Sequence, residues 1–585
     1  MKRNITCGEL RKNDAGKKVI LNGWVHRKRN HGGIFFISLR DRYGITQITV
    51  DTEGNTELAA ICDELRNEYV IAAGGIVQAR PADMVNANME TGEVEVIASE
   101  IEILNKCEVL PFQIEEESKA NEDLRLKYRY IDLRSANMQN RIKMRSETAF
   151  AVREWMTANG FYEIETPTFI KSTPEGARDF LVPSRLYPGK FYALPQSPQL
   201  YKQILMVSGF DKYFQIARCY RDEDSRGDRQ PEFTQIDIEM SFVERDDILS
   251  MTEGLMSHVF KKVINVELPK NFKRLSWEEA METYGSDKPD LRFDMKLQDF
   301  SSFAAGSDFQ AFLSALEKKG AVKAVVVNEN YSRKQIEELE AHAKIYKAKG
   351  LAWMKVASGG ALEGGVSKFF ADKAGDITKE LGAKEGDTIF IVADESRRVT
   401  NIALGAVRSK LGKDLGLCDP AKFEFVWIID FPMFEYNEEE KKWDAAHHLF
   451  SMPQEQYHNT MESDPGSVKG DLYDLVLNGY ELASGSIRIH DSEMQNKVFK
   501  IAGIDPEEAQ KKFGFLTEAF KYGAPPHGGI APGLDRLVMI MAGLTSIKDV
   551  LAFPKNSFGI SPMDDCPSEV DQKQLDELRL QIKPV

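Results

Sequence analysis

The most informative stretch of the chain is residues 214–240, FQIARCYRDEDSRGDRQPEFTQIDIEM. Residues 214–220 have the composition of a strand, residues 221–231 are charged and contain Gly and Pro, and residues 233–240 alternate apolar with polar side chains. A strand, a polar loop and an alternating strand predict an antiparallel hairpin with one face in a core.

Charged side chains stand at both ends of this hairpin. Arg221 ends the first strand, where a planar guanidinium suits bidentate binding of a phosphate or carboxylate. Asp237 and Glu239 alternate with the apolar residues of the return strand and therefore share one face of it. The charges of the loop alone do not predict a site, because hairpin loops are usually polar and solvated. Two carboxylates on a core strand are costly unless they bind something, so the hairpin predicts a binding site.

The length and composition are those of a soluble protein with several domains. The 585 residues exceed one hydrophobic core, and 42% hydrophobic and 29% charged residues are ordinary values. Without a cleavable leader or an apolar run of spanning length, we expect a cytoplasmic protein with no membrane partner. The net charge of −15 argues against nucleic acid as a partner. An excess of Lys and Arg near the N-terminus nevertheless allows local binding of a polyanion.

The N-terminal region alternates like a small barrel. Residues 1–105 contain five strand-like segments, with a helix-like segment at 57–67 between the third and fourth. This order matches the oligonucleotide-binding (OB) barrel, whose outer face binds single-stranded nucleic acid. Phe35 and Phe36 are adjacent, so one ring should face the core and the other the outside, unless both pack in the interior. The basic rim expected beside the outer ring consists of Arg27, Lys28 and Arg29.

The remaining chain separates into further segments. A helical pattern and a strand that stops at Pro167 come before the hairpin, and a later region alternates strands and helices without any catalytic pattern. The predicted organisation is a barrel, a hinge, a catalytic domain in two parts, an inserted α/β domain and a C-terminal extension, at residues 1–105, 106–140, 141–289 with 416–553, 290–415 and 554–585.

Two motifs near the C-terminus also carry chemistry. Asp474 and Glu481 flank the turn-forming pair Asn478–Gly479, which can bring the two carboxylates together on neighbouring strands. Carboxylates that meet a polyphosphate are the usual oxygen ligands of Mg²⁺. Arg536 follows a Gly-rich strand and lies in the first turn of an apolar helix, among backbone N–H groups that suit a phosphate.

These motifs, in this order, resemble those of one family. The hairpin is similar to motif 2 of the class II aminoacyl-tRNA synthetases, the helix and strand before it to motif 1, and the Gly-rich strand with Arg536 to motif 3. The segments TPEGARDF and QSPQLYKQ resemble signatures of the aspartate-specific members. With the barrel in front and the insertion between motifs 2 and 3, the chain resembles bacterial aspartyl-tRNA synthetases along nearly its whole length.

The resemblance implies a fold class and an activity. The fold would be multidomain, α/β and β, with an OB-fold barrel, a class II antiparallel-sheet catalytic domain and an inserted α/β domain of the GAD type. The enzyme, a homodimer, would activate L-aspartate with ATP and Mg²⁺ to aspartyl-adenylate and transfer it to the 3′ end of tRNA(Asp). In the alternative, non-discriminating form it would also charge tRNA(Asn) and supply an amidotransferase. His31 resembles the permissive type, whereas Asp83 matches neither type.

Roles for single residues are likewise implied by the resemblance. Arg221 and Arg536 would be catalytic through neutralisation of negative charge, since this chemistry needs positioning more than a nucleophile. The residues expected to bind aspartate are Glu175, Gln199, Lys202, Arg221, Asp237, His447 and Arg488. Those expected at ATP are Arg221, Asp222, Glu223, Gln230, Phe233, Glu481, Gly533, Leu534, Asp535 and Arg536, with Asp474 and Glu481 at Mg²⁺. Those expected to read the anticodon are Arg29, Phe36, Gln47 and Glu95.

The choice of aspartate would depend on a cationic pocket. A paired Lys202 and Arg488 would reject neutral asparagine, because both charges would be left uncompensated. His447 is expected to close over the substrate, although the adjacent His448 stays open as an alternative. A lysyl or asparaginyl relative would share the motifs but not this pocket, and a non-catalytic RNA-binding relative would be expected to lack the arginines and carboxylates that are present.

Overall fold

The computed structural model describes residues 1–115, 118–173, 176–224 and 227–583. Glu175, which is predicted to bind aspartate, lies outside the described residues. The chain forms two compact units, of which the first comprises Met1–Lys143, Ala552–Asn556 and Ile560–Pro567 and the second the remainder. Within the described part of the chain, no helix is long and apolar enough to cross a membrane.

A closed five-stranded barrel forms the main part of the first unit. Helix α1 (Thr56–Glu64) lies between the third and fourth strands of the sequence, which confirms the predicted OB fold. Phe35 is 3% exposed and Phe36 is partly exposed, so the adjacent rings do take opposite faces. The strands, which pair in the order β1–β2–β3–β5–β4, are β1 (Lys18–His31), β2 (Ile34–Asp41), β3 (Gly44–Asp51), β4 (Val70–Ala79) and β5 (Val94–Asn105).

The predicted basic rim is wrong for Lys28. Its Nζ donates hydrogen bonds to the backbone oxygens of Cys62 and Asp63, at 2.8 Å and 3.0 Å. These carbonyls belong to the last turn of α1, where they lack partners within the helix and attract a cation. Lys28 therefore stabilises the C-terminal end of α1.

Three helices follow the barrel, α2 (Glu122–Lys127), α3 (Arg129–Asp132) and α4 (Ala136–Ala158). Inside the first unit, Glu68 accepts hydrogen bonds from Arg40 at 2.8 Å and Arg134 at 3.1 Å. Because Glu68 is buried, this carboxylate fixes the segment after α3 against the barrel.

An eight-stranded sheet forms the centre of the second unit. It is antiparallel except for the outermost pair of strands at each edge, which is parallel. Apolar residues of α4, α6 (Arg245–Ile264) and α15 (Leu534–Met541) cover one face and share a core with the strands. The strands, in spatial order, are β11 (Lys273–Ser276), β17 (Phe425–Ile429), β20 (Leu472–Leu477), β21 (Tyr480–Ile487), β22 (His527–Pro532), β10 (Glu232–Ser241), β9 (Lys212–Tyr220) and β6 (Tyr162–Glu163).

The strand predicted to run up to Pro167 is shorter than expected. Tyr162 and Glu163 pair with β9, followed by one further hydrogen bond from the backbone N–H of Ile164 to the oxygen of Phe214. The proline restricts the residue before it and has no N–H to donate, so the ladder ends early.

The inserted segment forms its own sheet, in the order β12–β13–β16–β14–β15. Its strands are β12 (Gln298–Asp299), β13 (Ala321–Val327), β14 (Ala352–Val356), β15 (Leu362–Glu363) and β16 (Thr388–Asp394). Its helices are α8 (Ser301–Ala305), α9 (Gln310–Glu317), α10 (Arg333–Ile345), α11 (Ala374–Leu381) and α12 (Arg397–Asp414). The other elements are α5 (Gln199–Val207), α7 (Trp277–Tyr284), α13 (Ser492–Ile501), α14 (Pro506–Phe520), α16 (Gln572–Leu578), and the hairpins β7 (Leu181–Pro183) with β8 (Phe191–Ala193) and β18 (Phe434–Asn437) with β19 (Lys442–Ala445).

Helix α12 is fixed against α7 by a close contact and a shared carboxylate. Glu282 of α7 accepts hydrogen bonds from Arg397 at 2.7 Å and 2.8 Å, from Lys323 at 2.5 Å and from Asn401 at 3.0 Å. The hydrogen bonds from Arg397, with those from Lys323 and Asn401, lower the pKa of Glu282 to about 2. Gly405 of α12 lies against the backbone of Gly285, the residue that ends α7.

Replacing Gly405 by alanine should destabilise the second unit, although alanine normally favours a helix. A Cβ at this position would lie 2.5 Å from the backbone oxygen of Gly285, so the two helices must separate, at a cost of about 1–3 kcal/mol. Calorimetric unfolding is the measurement. The control is Gly375→Ala in α11, whose Cβ would meet nothing within 4 Å and which should raise stability by up to about 1 kcal/mol. A stabilised Gly405→Ala variant would contradict this account of the α7–α12 contact.

Candidate active site

The predicted hairpin is formed by β9 and β10. Phe233 pairs with Cys219, and the backbone N–H of Arg221 donates to the oxygen of Pro231 at 2.8 Å, which holds the base of the loop closed. The guanidinium carbon of Arg221 lies 5.0 Å from the centroid of the Phe233 ring. The structure thus brings a cation and an aromatic face together, as required for a nucleotide.

Four charged side chains are buried next to one another on the face of β10 opposite the apolar core. Lys202 of α5 places Nζ 2.8 Å from Oδ1 of Asp237 and 3.2 Å from Oε2 of Glu239. Arg488, just after β21, donates to Glu239 through Nε at 3.0 Å and to the Ser486 hydroxyl at 2.8 Å. Each charge has an opposite partner, which makes burial of all four possible.

The two carboxylates respond differently to their surroundings. Burial alone would raise the pKa of Glu239, but Arg488 and Lys202 outweigh it and hold that pKa below its usual value. Burial raises the pKa of Asp237, and the Lys202 ammonium offsets this only in part. Within the described residues, Oδ2 of Asp237 is buried and accepts no hydrogen bond. Asp237 can therefore receive a cationic group, whereas Glu239 is already neutralised.

The sequence predicts that Glu239, like Asp237, lies on a binding face of the hairpin, but it assigns no ligand to Glu239. Its alternation with apolar residues indicated a polar face, but its partners come from α5 and β21, which sequence spacing does not bring together. The neighbouring strand makes room for it with Gly529, where a Cβ would lie 1.9 Å from Oε2 of Glu239. Glu239 positions Lys202 and Arg488.

Two further residues predicted to bind aspartate carry buried donors without a partner in the described part of the chain. Nε2 of Gln199 and Nε of Arg221 are buried and, as far as the structure describes the chain, donate to nothing. Arg488 has five N–H donors, and those directed to Glu239 and Ser486 leave some free. These residues therefore offer several cationic or neutral donors and, at Asp237, a carboxylate oxygen without a partner in the described residues.

The two adjacent histidines have different environments. The ring of His447 stands edge-on to Phe431, with centroids 4.7 Å apart, and burial lowers its pKa while the charge of Glu481 opposes the shift. For His448, burial and the cations Arg488, Arg221 and Lys202 lower the pKa to about 3. His448 is therefore the histidine nearer the buried charges, and His447 the one on the side of Glu481.

The predicted carboxylate pair does come together. Glu481 pairs with Val476, which lies on the same face of β20 as Asp474, so the two carboxylates are diagonal neighbours. Burial and the charge of Glu481 raise the pKa of Asp474 well above its usual value. Arg536 donates to the backbone oxygen of Glu481 and lies 3.3 Å from Oδ2 of Asp228. Its buried Nε has no partner among residues 1–115, 118–173, 176–224 and 227–583.

The other residues predicted to bind ATP differ in their contacts and in their exposure. Asp535 is buried, pairs with Arg145 and accepts the backbone N–H of Thr234 at 2.8 Å, so it joins α15 and α4 to β10. Gly533 begins α15, and Glu223 lies 2.8 Å from the exposed Arg229. Leu534 and Gln230 are buried, and Asp222 is exposed.

In the barrel, the residues predicted to read the anticodon lie on one outer face. Arg29 pairs with Phe36 in the ladder of β1 and β2, and Nε2 of Gln47 donates to Glu95 at 3.0 Å. The ring of His31 is 6.1 Å from that of Phe36. The other residue predicted to discriminate between tRNAs, at position 83, is exposed in the short turn Ala82–Met84.

Comparison with known proteins agrees with this architecture. The family described as tRNA synthetases class II (D, K and N) matches residues 121–557, and the OB-fold nucleic acid binding domain matches residues 19–104. The chain belongs to the class II aminoacyl-tRNA synthetases of this D, K and N group. The predicted fold, family and enzyme class are confirmed: the protein is an aminoacyl-tRNA ligase that uses ATP as a substrate and binds tRNA.

The most similar relatives share its whole length. The chain is 68% identical over 587 residues to the aspartate–tRNA(Asp/Asn) ligase of Treponema denticola, covering 100% of this chain and 99% of the relative. It is 57% identical over 584 residues to that of Treponema pallidum (strain Nichols), with coverages of 99% and 97%. The crystal structure of Pyrococcus horikoshii asparaginyl-tRNA synthetase with asparaginyl-adenylate has the same fold, with a TM-score of 0.60 at 20% identity over 95% of this chain and 98% of that one.

Replacing Glu239 by glutamine should destabilise the second unit strongly. Lys202 and Arg488 would keep their buried charges with one carboxylate fewer, a loss typically of about 3–5 kcal/mol. Urea denaturation is the measurement. The control Glu223→Gln removes a carboxylate from a partly exposed pair and should cost no more than about 1 kcal/mol. Equal effects of the two substitutions would show that the buried cluster does not depend on Glu239.

The histidine with the lowered pKa should make stability depend on pH. Between pH 7 and 5 the unfolded chain protonates His448 near its usual pKa, while the folded protein, with a pKa of about 3, does not. Stability should therefore fall as the pH falls, and His448→Asn should lose less stability over this interval than the wild type. Denaturation midpoints at pH 7 and pH 5 test this, and identical losses in the two proteins would contradict it.

Proposed function

We propose that this chain activates L-aspartate with ATP and charges both tRNA(Asp) and tRNA(Asn). The observation that carries the choice of amino acid is the buried pair Lys202 and Arg488, held by carboxylates at the floor of the pocket. The second tRNA is supported by the names of the two similar relatives, which include both tRNAs, and by His31, which resembles the permissive type.

The free groups of the pocket match an amino acid with an acidic side chain. The remaining donors of Arg488, with Lys202 beside them, would bind the side-chain carboxylate, and Oδ2 of Asp237 would accept the ammonium. Arg221 would bind the α-carboxylate. A neutral amide in place of the side-chain carboxylate would present N–H groups to cations and leave them uncompensated, which disfavours asparagine.

In the first step, an oxygen of the α-carboxylate attacks the α-phosphorus of ATP. The bond from that phosphorus to the bridging oxygen breaks, and pyrophosphate leaves with the bond electrons. Phe233 would stack on adenine while Arg221 bridges the α-phosphate and the substrate carboxylate, an arrangement supported by the 5.0 Å between them. Arg536 would bind the γ-phosphate through its free donors. Positioning and neutralisation of spreading charge supply the catalysis.

Asp474 and Glu481 would hold Mg²⁺ at the phosphates. The two residues fit a cation. Burial and the charge of Glu481 raise the pKa of Asp474, and a cation between the two carboxylates would offset this repulsion. Within the described residues no set of three acidic, His or Cys side chains is arranged to hold a metal, so phosphate and water would complete the coordination. When bound, Mg²⁺ would neutralise charge on the pyrophosphate.

In the second step, the terminal ribose hydroxyl of the tRNA attacks the aspartyl carbonyl carbon. The carbon–oxygen bond to the phosphate breaks, AMP departs, and the hydroxyl proton leaves with it. On tRNA(Asn) the product would carry the wrong amino acid, so an amidotransferase would have to convert it.

The outer side of the second unit supports a homodimer. Tyr162 lies on the edge strand β6, its ring is 6.5 Å from that of Phe210, and both are exposed. Phe150 and Phe169 are also exposed. An edge strand with exposed aromatic residues is a typical site for association, and a second copy would cover it.

The test is charging of separate tRNA(Asp) and tRNA(Asn) transcripts with labelled aspartate, ATP and Mg²⁺. Comparable charging of both is expected, and Arg488→Lys, which keeps the buried positive charge but loses the planar fork of donors, should reduce it strongly. Charging of tRNA(Asp) alone would overturn the dual specificity. Charging of neither by the folded wild type would overturn the assignment to aspartate.

A further inference from the structure

Helix α12 of the inserted segment has neighbouring side chains that reach two different parts of the second unit. Arg397 binds Glu282 of α7, as described above. The next residue, Arg398, places Nη1 3.2 Å from Oε1 of Glu435 in β18. Because α12 is fixed to α7 by the Glu282 network and by the Gly405–Gly285 contact, Arg398 approaches the hairpin from a rigid support.

The partner of Arg398 lies on the hairpin that leads to the histidines. The strands β18 and β19 form a separate two-stranded sheet, in which Glu435 pairs with Asp444. After β19, the backbone N–H of Ala446 donates to the oxygen of Met433 at 2.9 Å, and His447 and His448 follow directly. The position of this hairpin therefore determines the position of the two histidines that follow it.

The same residues line one cleft. A cavity of about 1020 Å³ lies between α10 and α12 on one side and α7 and the hairpin on the other. Its walls include Arg398, Glu435, Phe431 and His447. The ion pair thus joins the inserted segment to the β18–β19 hairpin across a cleft that His447 also lines.

We infer that Arg398 is a positioning residue, which acts through Glu435 and the β18–β19 hairpin to hold His447 and His448 at the aspartate pocket. This gives the inserted segment a role in substrate binding without contact with the substrate. Both side chains of the pair are partly exposed, so its effect on overall stability should be small. The effect should instead show in the affinity for aspartate, and in this respect the inference rests on the proposed function.

The experiment uses charge reversal in the full chain. In Arg398→Glu and in Glu435→Arg, two like charges face each other, and the KM for aspartate in ATP–pyrophosphate exchange should rise about three- to ten-fold, with kcat changed less than about two-fold. The double variant restores opposite charges and should return the KM to within about two-fold of the wild type.

A matched control comes from the same inserted segment. Arg333 and Glu337 of α10 form an exposed pair at 3.0 Å, and neither residue lines the cleft. Arg333→Glu should leave the KM for aspartate unchanged. An unchanged KM in Arg398→Glu, or a double variant that is no better than the single variants, would overturn the inference.

A second measurement does not depend on the activity. Modification of His447 and His448 by diethyl pyrocarbonate, followed by mass spectrometry, should be several-fold faster in Arg398→Glu and return to the wild-type rate in the double variant. His258 of α6 serves as the internal reference and should react at the same rate in all variants. If the wild type lacks aspartate-dependent exchange, the proposed function fails, while this measurement still supports or overturns the positioning role.

Discussion

The pairing of Lys202 and Arg488 with Asp237 and Glu239 is the constraint on which the active site depends. Any one of these charges alone in the interior would be prohibitive, and together they are compatible with a folded sheet. Both carboxylates lie on β10, whereas the cations come from α5 and from the residue after β21. The pocket therefore forms only when β10, β21, β22 and α5 are packed in the right register, and folding and site formation are one event.

The features predictable from sequence are those that local rules determine. The barrel, the β9–β10 hairpin and the opposition of Phe35 and Phe36 follow from the alternation of side chains along a strand. The meeting of Asp474 and Glu481 follows from the turn at Asn478–Gly479, where both residues have positive φ angles. In the two hairpins the partners are close in sequence, and in the barrel each strand shows its own alternation before any pairing is known.

The features that sequence did not reveal depend on contacts between distant segments. Lys28 looked like part of a nucleic-acid-binding rim, but the end of α1 takes its ammonium group. The contact of Asp535 with Arg145, almost four hundred residues away in sequence, likewise could not be predicted from its place in the motif. The different surroundings of His447 and His448 likewise arise from packing, since adjacent identical residues carry no signal that separates them.

The close approach of Gly529 to Glu239 has a consequence for how such an enzyme can change its substrate. A pocket for a neutral side chain would need fewer cations, but removing either Lys202 or Arg488 leaves two buried carboxylates with one cation, and Gly529 leaves no space for a larger side chain beside Glu239. A single substitution at either cation therefore costs stability as well as recognition. The choice of amino acid is thus tied, at these two positions, to the stability of the sheet that carries them.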